Sequence, residues 1–353
     1  TAYEIYQCDW SSDVCSSDLF IPQFIPYWDN KEREYVLKIL ESDYLNEHKT
    51  VREFERRFAS FVNARFCVTV TSGTTALYLA LKSVYQEKIP NEIFVPDYAG
   101  IFVSNACKQS GCKPRLTDVG RNGSLSESNK DSFVVHSNGR LGSVHLLEDC
   151  AQAISHHTKN CVSCYSFAST KHLTTAGQGG AICCDDEEIF DRLTRLKDLG
   201  RNDRQNLKPM SDNFEFWGIN SKFTEIQAAF GLAQLEKLPQ RLSRLKEMSK
   251  IYNEELKNCN RVRFFEEESK WYIDILVKEP EKVITALKVN NIQARRFYKP
   301  LHMQPLYKST IDNANEFKNS IEFYDSGIWL PSTTNLTDEQ ILYVCEQIKK
   351  IVK

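Results

Sequence analysis

Three short stretches of this sequence carry residue types that together could run a reaction: Ser72-Gly73-Thr74-Thr75, Asp149 and Lys171. The first lies between a β-rich run, 66–70, and a helical one, 76–84, with Ser72 or Thr74 as the helix cap. Backbone N–H groups at a helix start point at an anion, the helix dipole favours it, and Gly73 lets the backbone come close. Asp149 follows the apolar run Val144-His145-Leu146-Leu147. That places it at the carboxyl end of a strand, where open α/β sheets bind ligands. Lys171 follows Ser166-Phe167-Ala168-Ser169-Thr170 and precedes Gly177-Gln178-Gly179-Gly180, so it sits on a loop held by strands on either side. Each stretch also has an ordinary reading when taken alone: a helix start, a turn cap after Glu148-Asp149, a solvated lysine.

In combination they match what pyridoxal 5′-phosphate (PLP) asks of a protein. That cofactor needs a lysine for its aldehyde, an acid at its pyridine nitrogen, a phosphate cradle, and packing on the ring faces. Ser166 is placed to offer the phosphate a hydroxyl, and Gln152, three residues after Asp149, to lie near the ring's phenolic oxygen.

The elements that must position these groups read as α/β with a mainly parallel sheet. Apolar residues recur at helical spacing over 30–40 and 51–62, and further strands are expected at 93–96, 133–136, 144–147, 165–167 and 180–184. A long helical stretch covers 225–256, with a break expected near Pro239. Beyond it, strands at 271–277 and 292–297 and helices at 281–289 and 338–352 make a small α+β unit. The expected organisation is a large domain over 20–240 and a smaller one over 241–353. The head, 1–19, contains Asp13-Val14-Cys15-Ser16-Ser17-Asp18-Leu19, which resembles a translated sequencing adapter, and is set apart from the fold.

Bulk properties narrow the function classes. The chain has 353 residues, 41% hydrophobic and 26% charged, with a formal net charge of −2. This balance gives no footing for nucleic acid or an anionic membrane, and no apolar run reaches the ~18–20 residues of a membrane span, so the expected address is the cytoplasm. Among twelve cysteines, Cys161-x-x-Cys164 with Cys183-Cys184 has a metal-like look. Each lies in a β-like run, and adjacent cysteines rarely form the second pair of a zinc site, so they read as small core residues and no metal is expected.

The ordered motifs resemble the DegT/StrS family of nucleotide-sugar aminotransferases, over nearly everything from Ile21 onward. The likeness rests on Thr71-Ser72-Gly73-Thr74-Thr75-Ala76-Leu77, Glu148-Asp149-Cys150-Ala151-Gln152-Ala153, Ser166-Phe167 through Lys171, and Gly218-Ile219-Asn220 through Gln227-Ala228-Ala229. Arg295-Arg296-Phe297-Tyr298-Lys299-Pro300-Leu301-His302 is similar to the perosamine-synthase branch, which aminates C4 of a 4-keto-6-deoxy sugar nucleotide.

The resemblance implies a PLP-dependent fold type I enzyme that moves an amino group, with glutamate as the expected donor. It makes Lys171 the cofactor-bonding and proton-carrying residue and Asp149 the partner of the ring nitrogen. Gly73, Thr74, Thr75 and Ser166 would hold the phosphate, and Gln152 the ring. Asn220 would reach a neighbouring subunit's phosphate, hence a homodimer with shared sites. Arg295 and His302 would serve the sugar-nucleotide side.

Three positions depart from the family pattern. Gly100 stands where the family has a ring-stacking aromatic, with Tyr98 and Phe102 as possible replacements; Lys222 stands for an arginine, and Gln178 for an acid. The connection 137–143 is also too short for the usual crossover helix. Two other readings are a dehydratase-type relative and a catalytically silent nucleotide-sugar binder. Dehydratase relatives replace the lysine by histidine, whereas here Lys171 precedes His172. Retention of lysine, aspartate and cradle together favours the aminotransferase.

Overall fold

The computed structural model describes residues 20–42, 44–125, 128–201, 214, 217–265, 270–307 and 316–352; the expected head, 1–19, lies outside them. Helices α1 (Asn30–Leu40) and α2 (Lys49–Val62) lead into β1 (Phe66–Val70), α3 (Gly73–Tyr85), β2 (Glu92–Pro96), α4 (Ile101–Ser110) and β3 (Lys113–Thr117). Then come β4 (Phe133–Val135), β5 (Leu147–Asp149), β6 (Val162–Ser166), β7 (Gly180–Cys184) and α5 (Glu187–Leu196). The long α6 (Glu225–Leu256) precedes β8 (Val262–Phe264), β9 (Asp274–Val277), α7 (Pro280–Val289), β10 (Arg295–Arg296), α8 (Lys318–Ser326), β11 (Gly327–Trp329) and α9 (Asp338–Ile351).

The large sheet runs β1-β7-β6-β5-β4, and a parallel bridge from Phe94 to Ser132 carries it on to the parallel pair β2-β3. Strands β4, β5 and β6 pair in parallel, while β7 is antiparallel to both its neighbours, so the sheet is mixed and mostly parallel. Strand alternation sends neighbouring residues to opposite faces. Val68, Val70, Cys164, Ile182 and Cys184 therefore pack against α3, α4 and α5, whereas Cys67, Tyr165, Ala181 and Cys183 pack against α2 and the first half of α6. The adjacent Cys183 and Cys184 thus belong to separate cores.

The second half of α6 lays Leu245, Met248, Tyr252 and Leu256 on another core, shared with α7, α9 and the four-stranded antiparallel sheet β10-β11-β9-β8. Ile21 joins that core and bridges to Ile292.

Several expected boundaries move. The strand expected at 144–147 is β5, because the three residues of β4 offer partners only to Leu147, Glu148 and Asp149. The strands expected at 271–277 and 292–297 shorten to β9 and β10. Helix α6 is not broken at Pro239: a proline costs one backbone hydrogen bond, and Leu235 and Leu238 before it and Leu245 after it are all held in cores. Helices α4 and α5 and strand β3 were not expected from the pattern. β3 is the outermost strand, which is where a sheet accommodates Pro114.

The crossover from β4 to β5 is trimmed, and the sheet keeps its parallel register around it. A single turn at Ser137–Gly139 replaces a helix, with Asn138 in the left-handed region (φ 56°). Asn138 Nδ2 donates to the Tyr272 carbonyl (2.8 Å) and its Oδ1 accepts from the Tyr272 amide (2.8 Å). Arg140, fully buried, pairs with Asp274 at 2.5 Å, and Asp274 also takes Lys270 at 3.1 Å. The short connection is thereby tied to the segment that carries Trp271.

Candidate active site

A cleft of about 450 Å³ opens where α3 begins and where β5 and β6 end, lined by Ser72, Gly73, Thr74, Asp149, Ser166 and Lys171 among others. Ser72 is the cap of α3, its Oγ accepting from the Thr75 amide at 3.1 Å. The amides of Gly73 and Thr74 precede the first intrahelical donors, which leaves them for an anion. A Cβ on Gly73 would lie 2.7 Å from Ser166 Cβ, so only glycine lets the helix start press against the end of β6. Thr75 departs from expectation: its amide serves the cap, its hydroxyl meets Ser72 Oγ at 2.9 Å, and it does not line the cleft.

Asp149 is the last residue of β5 and is 8% exposed. Burial raises its carboxyl above the usual range, opposed by the Ala151 amide (2.9 Å) and by the charges of Lys171 and His136. Lys171 faces it across the cleft. Burial lowers the lysine to about 8, with Asp149 pulling the other way. Its Nζ stands 4.0 Å from the centre of the Trp271 ring, and the Trp271 indole N–H and the Tyr272 hydroxyl both donate to the Thr170 carbonyl (2.8 and 3.1 Å). Those two aromatic residues clamp the loop that presents the lysine. Sequence reasoning placed them in a strand and missed that role; only their position beside the charged Lys270 and Asp274 hints at it.

Of the two aromatics near Gly100, Phe102 is the one that lines the cleft. It stands in the first turn of α4 and is 48% exposed. A Cβ at Gly100 would lie 2.5 Å from the Phe102 ring, so the ring covers the space a side chain at 100 would need. Tyr98 is instead buried against Phe297 and Phe323. Gln178 and Tyr298 complete the rim.

Four other expected residues lie elsewhere. Gln152 Oε1 accepts from the Asn138 amide (2.5 Å) and borders a small space beside Tyr98 and Tyr298 rather than the main cleft. Arg295 lies over Trp329, 5.3 Å from its ring centre, outside the cleft lining. His302 is buried: its amide and Nδ1 meet Asp97 at 2.7 and 2.6 Å, and its ring stacks on Phe317. It holds two segments together and does not reach the cleft. Asn220 is exposed and bridges to Asp198, whose carboxylate also pairs with Lys222.

Comparison with known proteins adds a name to this arrangement. Residues 26–129 and 139–349 match the model of the DegT/DnrJ/EryC1/StrS aminotransferase family. The chain belongs to that family. The match is interrupted at residues 130–138, which hold β4 and the start of the short connection that follows it. Among curated relatives of this aminotransferase, GDP-perosamine synthase of Escherichia coli O157:H7 is 28% identical, over 94% of this chain and 98% of the relative. The dTDP-3-amino-3,6-dideoxy-alpha-D-galactopyranose transaminase of Aneurinibacillus thermoaerophilus is also 28% identical, over 89% and 93%. The sugar aminotransferase CalS13 of Micromonospora echinospora shares the fold, with a TM-score of 0.86 at 23% identity over 94% of this chain and all of that one (100%). No helix among the described residues is long and apolar enough to cross a membrane.

PLP is the cofactor of this aminotransferase, and the residues present fit it. The glycine-tight helix start suits a phosphate. A buried acid accepting a single amide bond has capacity left for a ring nitrogen. A lysine lowered to about 8 is a usable amine near neutral pH.

Proposed function

We propose that this aminotransferase moves an amino group from an amino acid, glutamate being the expected donor, onto the keto carbon of a deoxy sugar nucleotide for aminosugar and polysaccharide synthesis. What carries the reading is that Lys171, Asp149, the Ser72–Thr74 turn and Ser166 line one cleft of a size that takes a cofactor with part of a substrate. Bound there, PLP supplies an aldehyde carbon to receive nitrogen and an electron-poor ring that eases removal of the donor's α-hydrogen.

The chain's own groups do the rest. Asp149 holds a hydrogen bond to the ring nitrogen, and the amides of Gly73 and Thr74 with Ser166 Oγ hold the phosphate. Lys171 Nζ takes the proton from the donor's α-carbon and returns one to the carbon that gains the amine. Trp271, whose ring lies 4.0 Å from that Nζ and whose indole N–H holds the Thr170 carbonyl, limits where the amine can reach. Phe102 packs on the ring face.

The exposed Asn220 supports a homodimer in which it reaches the partner's phosphate site. The reading also places a cofactor-binding unit at 20–240, a smaller unit at 241–353, and the protein in the cytoplasm. The test is incubation of the holoenzyme with glutamate and a panel of keto sugar nucleotides, reading product masses. A product in which the keto oxygen is replaced by an amine supports the reading, and a panel with no mass change overturns it.

A further inference from the structure

Lys171 and Trp271 stand between two spaces. One is the large cleft; the other is a narrow cavity of about 40 Å³, walled by Phe24 to Tyr27, by α6 and by Ser332 and Thr334. Into its lining comes Arg241, one turn past Leu238 on α6. Its Nη2 donates to the Gln234 carbonyl (3.1 Å) and to Gln234 Oε1 (2.9 Å), while its Nε is buried with no hydrogen-bond partner. Among the described residues no carboxylate forms an ion pair with it. Asp29 and Glu32, the nearest acids, are spent on Lys237 at 3.0 and 2.6 Å, and Glu32 also receives Gln234 Nε2. Burial disfavours the charged guanidinium, and the charges of Glu32 and Asp29, acting from beyond ion-pair distance, only partly offset this, so a ligand's anionic group would complete its surroundings.

His172 lines the same cavity. Its Nε2 donates to the Lys270 carbonyl at 2.9 Å, and its buried Nδ1 has no partner. Burial lowers this ring to about 4, so it is neutral at pH 7 and Nδ1 is an acceptor. The cavity thus presents a cation within reach of the lysine, with a neutral imidazole beside it.

Size selects among anions. A water-sized probe needs roughly 10–15 Å³, so the cavity admits a group of a few heavy atoms and no sugar ring. In an amino acid the carboxylate and the amine share one carbon, so a donor whose amine is at Lys171 has its carboxylate close by. We infer that this cavity is the carboxylate pocket for the amino donor, with Arg241 as its counter-charge. The inference rests on the aminotransferase reading and says nothing of the sugar.

The test uses the holoenzyme and glutarate, a dicarboxylate with no amine to react, in titration calorimetry. Arg241→Gln is expected to weaken glutarate about tenfold or more, the effect of deleting one charge-assisted bond, while the cofactor's visible band is unchanged. KM for L-glutamate rises by the same factor and kcat changes little. Leu242→Phe narrows the cavity from another wall and gives the same loss without touching the charge, which covers the case of an unstable arginine variant. Unchanged glutarate affinity in the folded variants overturns the pocket. A protein that binds glutarate through Arg241 yet aminates no sugar nucleotide keeps the pocket and loses the sugar reading.

Discussion

Glu148 and Asp149 are neighbours on β5 and face opposite sides of the sheet, and their surroundings could hardly differ more. Glu148, fully buried, accepts from His136 Nε2 (2.8 Å), the Thr158 amide and hydroxyl (both 2.7 Å) and Ser163 Oγ (2.5 Å). The Gly142 amide donates to His136 Nδ1, which fixes the tautomer that serves the acid. Burial would raise Glu148, but these bonds, with His136 and His156 foremost, outweigh it and hold the carboxyl far below its usual range. Asp149 has one amide and an elevated carboxyl. The saturated acid is finished as structure; the unsaturated one is waiting for a ligand.

Replacing Lys171 gives the largest effect: Lys171→Ala should abolish the visible band of the lysine-bound cofactor and all turnover, and a retained band would end the assignment. Asp149→Ala should slow turnover at least about a hundredfold, since stranding a charge in a buried pair costs ~3–5 kcal/mol and each ~1.4 kcal/mol is tenfold. In the cofactor-free protein the same change should leave the melting temperature level or higher, because a raised carboxyl opposes folding once pH passes its folded-state value. Glu148→Ala should do the reverse and destabilise by about 3 kcal/mol or more in denaturant unfolding, taking the acceptor from His136 Nε2 and from the Thr158 amide. Its stabilising share is present above the ordinary glutamate value of 4.5 and drains away as pH falls below it. If both variants behave alike in unfolding, the contrast between the two acids is wrong.

Smaller effects sharpen the cleft side. Phe102→Ala should weaken cofactor binding by about fivefold, in keeping with the ~1 kcal/mol of one aromatic stacking contact, measured by cofactor titration. Reloading of cofactor into the stripped protein should speed up with pH and level off above about 8, the lowered value of Lys171. Trp271→Ala, which lessens the burial of Nζ, should push that midpoint upward.

The cleft was legible in the sequence wherever function is written into local backbone geometry. Ser72-Gly73-Thr74 marks a strand-to-helix turn, Asp149 ends a strand, and Lys171 precedes a glycine-rich return, so three positions emerged from pattern alone. What stayed hidden depends on contacts between distant segments. Trp271 reaches the lysine loop across 101 positions of sequence, and Asn138 meets Tyr272 across 134. Thr75, Arg295 and His302 carry plausible chemistry but spend it elsewhere, on a cap, an indole face and Asp97. Residue type announced a capability in each case, and packing decided its use. The fold class followed from alternating strands and helices, while β3 was obscured because an edge strand carries little periodicity, and β10 was read too long because only two of its residues find ladder partners.

The 32 residues of α6 form one uninterrupted rod of about 48 Å at ~1.5 Å per residue. Its two halves are cemented into different cores, so any relative movement of those cores has to flex the rod itself. The cheapest place to flex is Pro239, where one rung of the backbone ladder is missing. That weak joint lies two residues from Arg241, and strain imposed on either core would therefore be felt first beside the lysine.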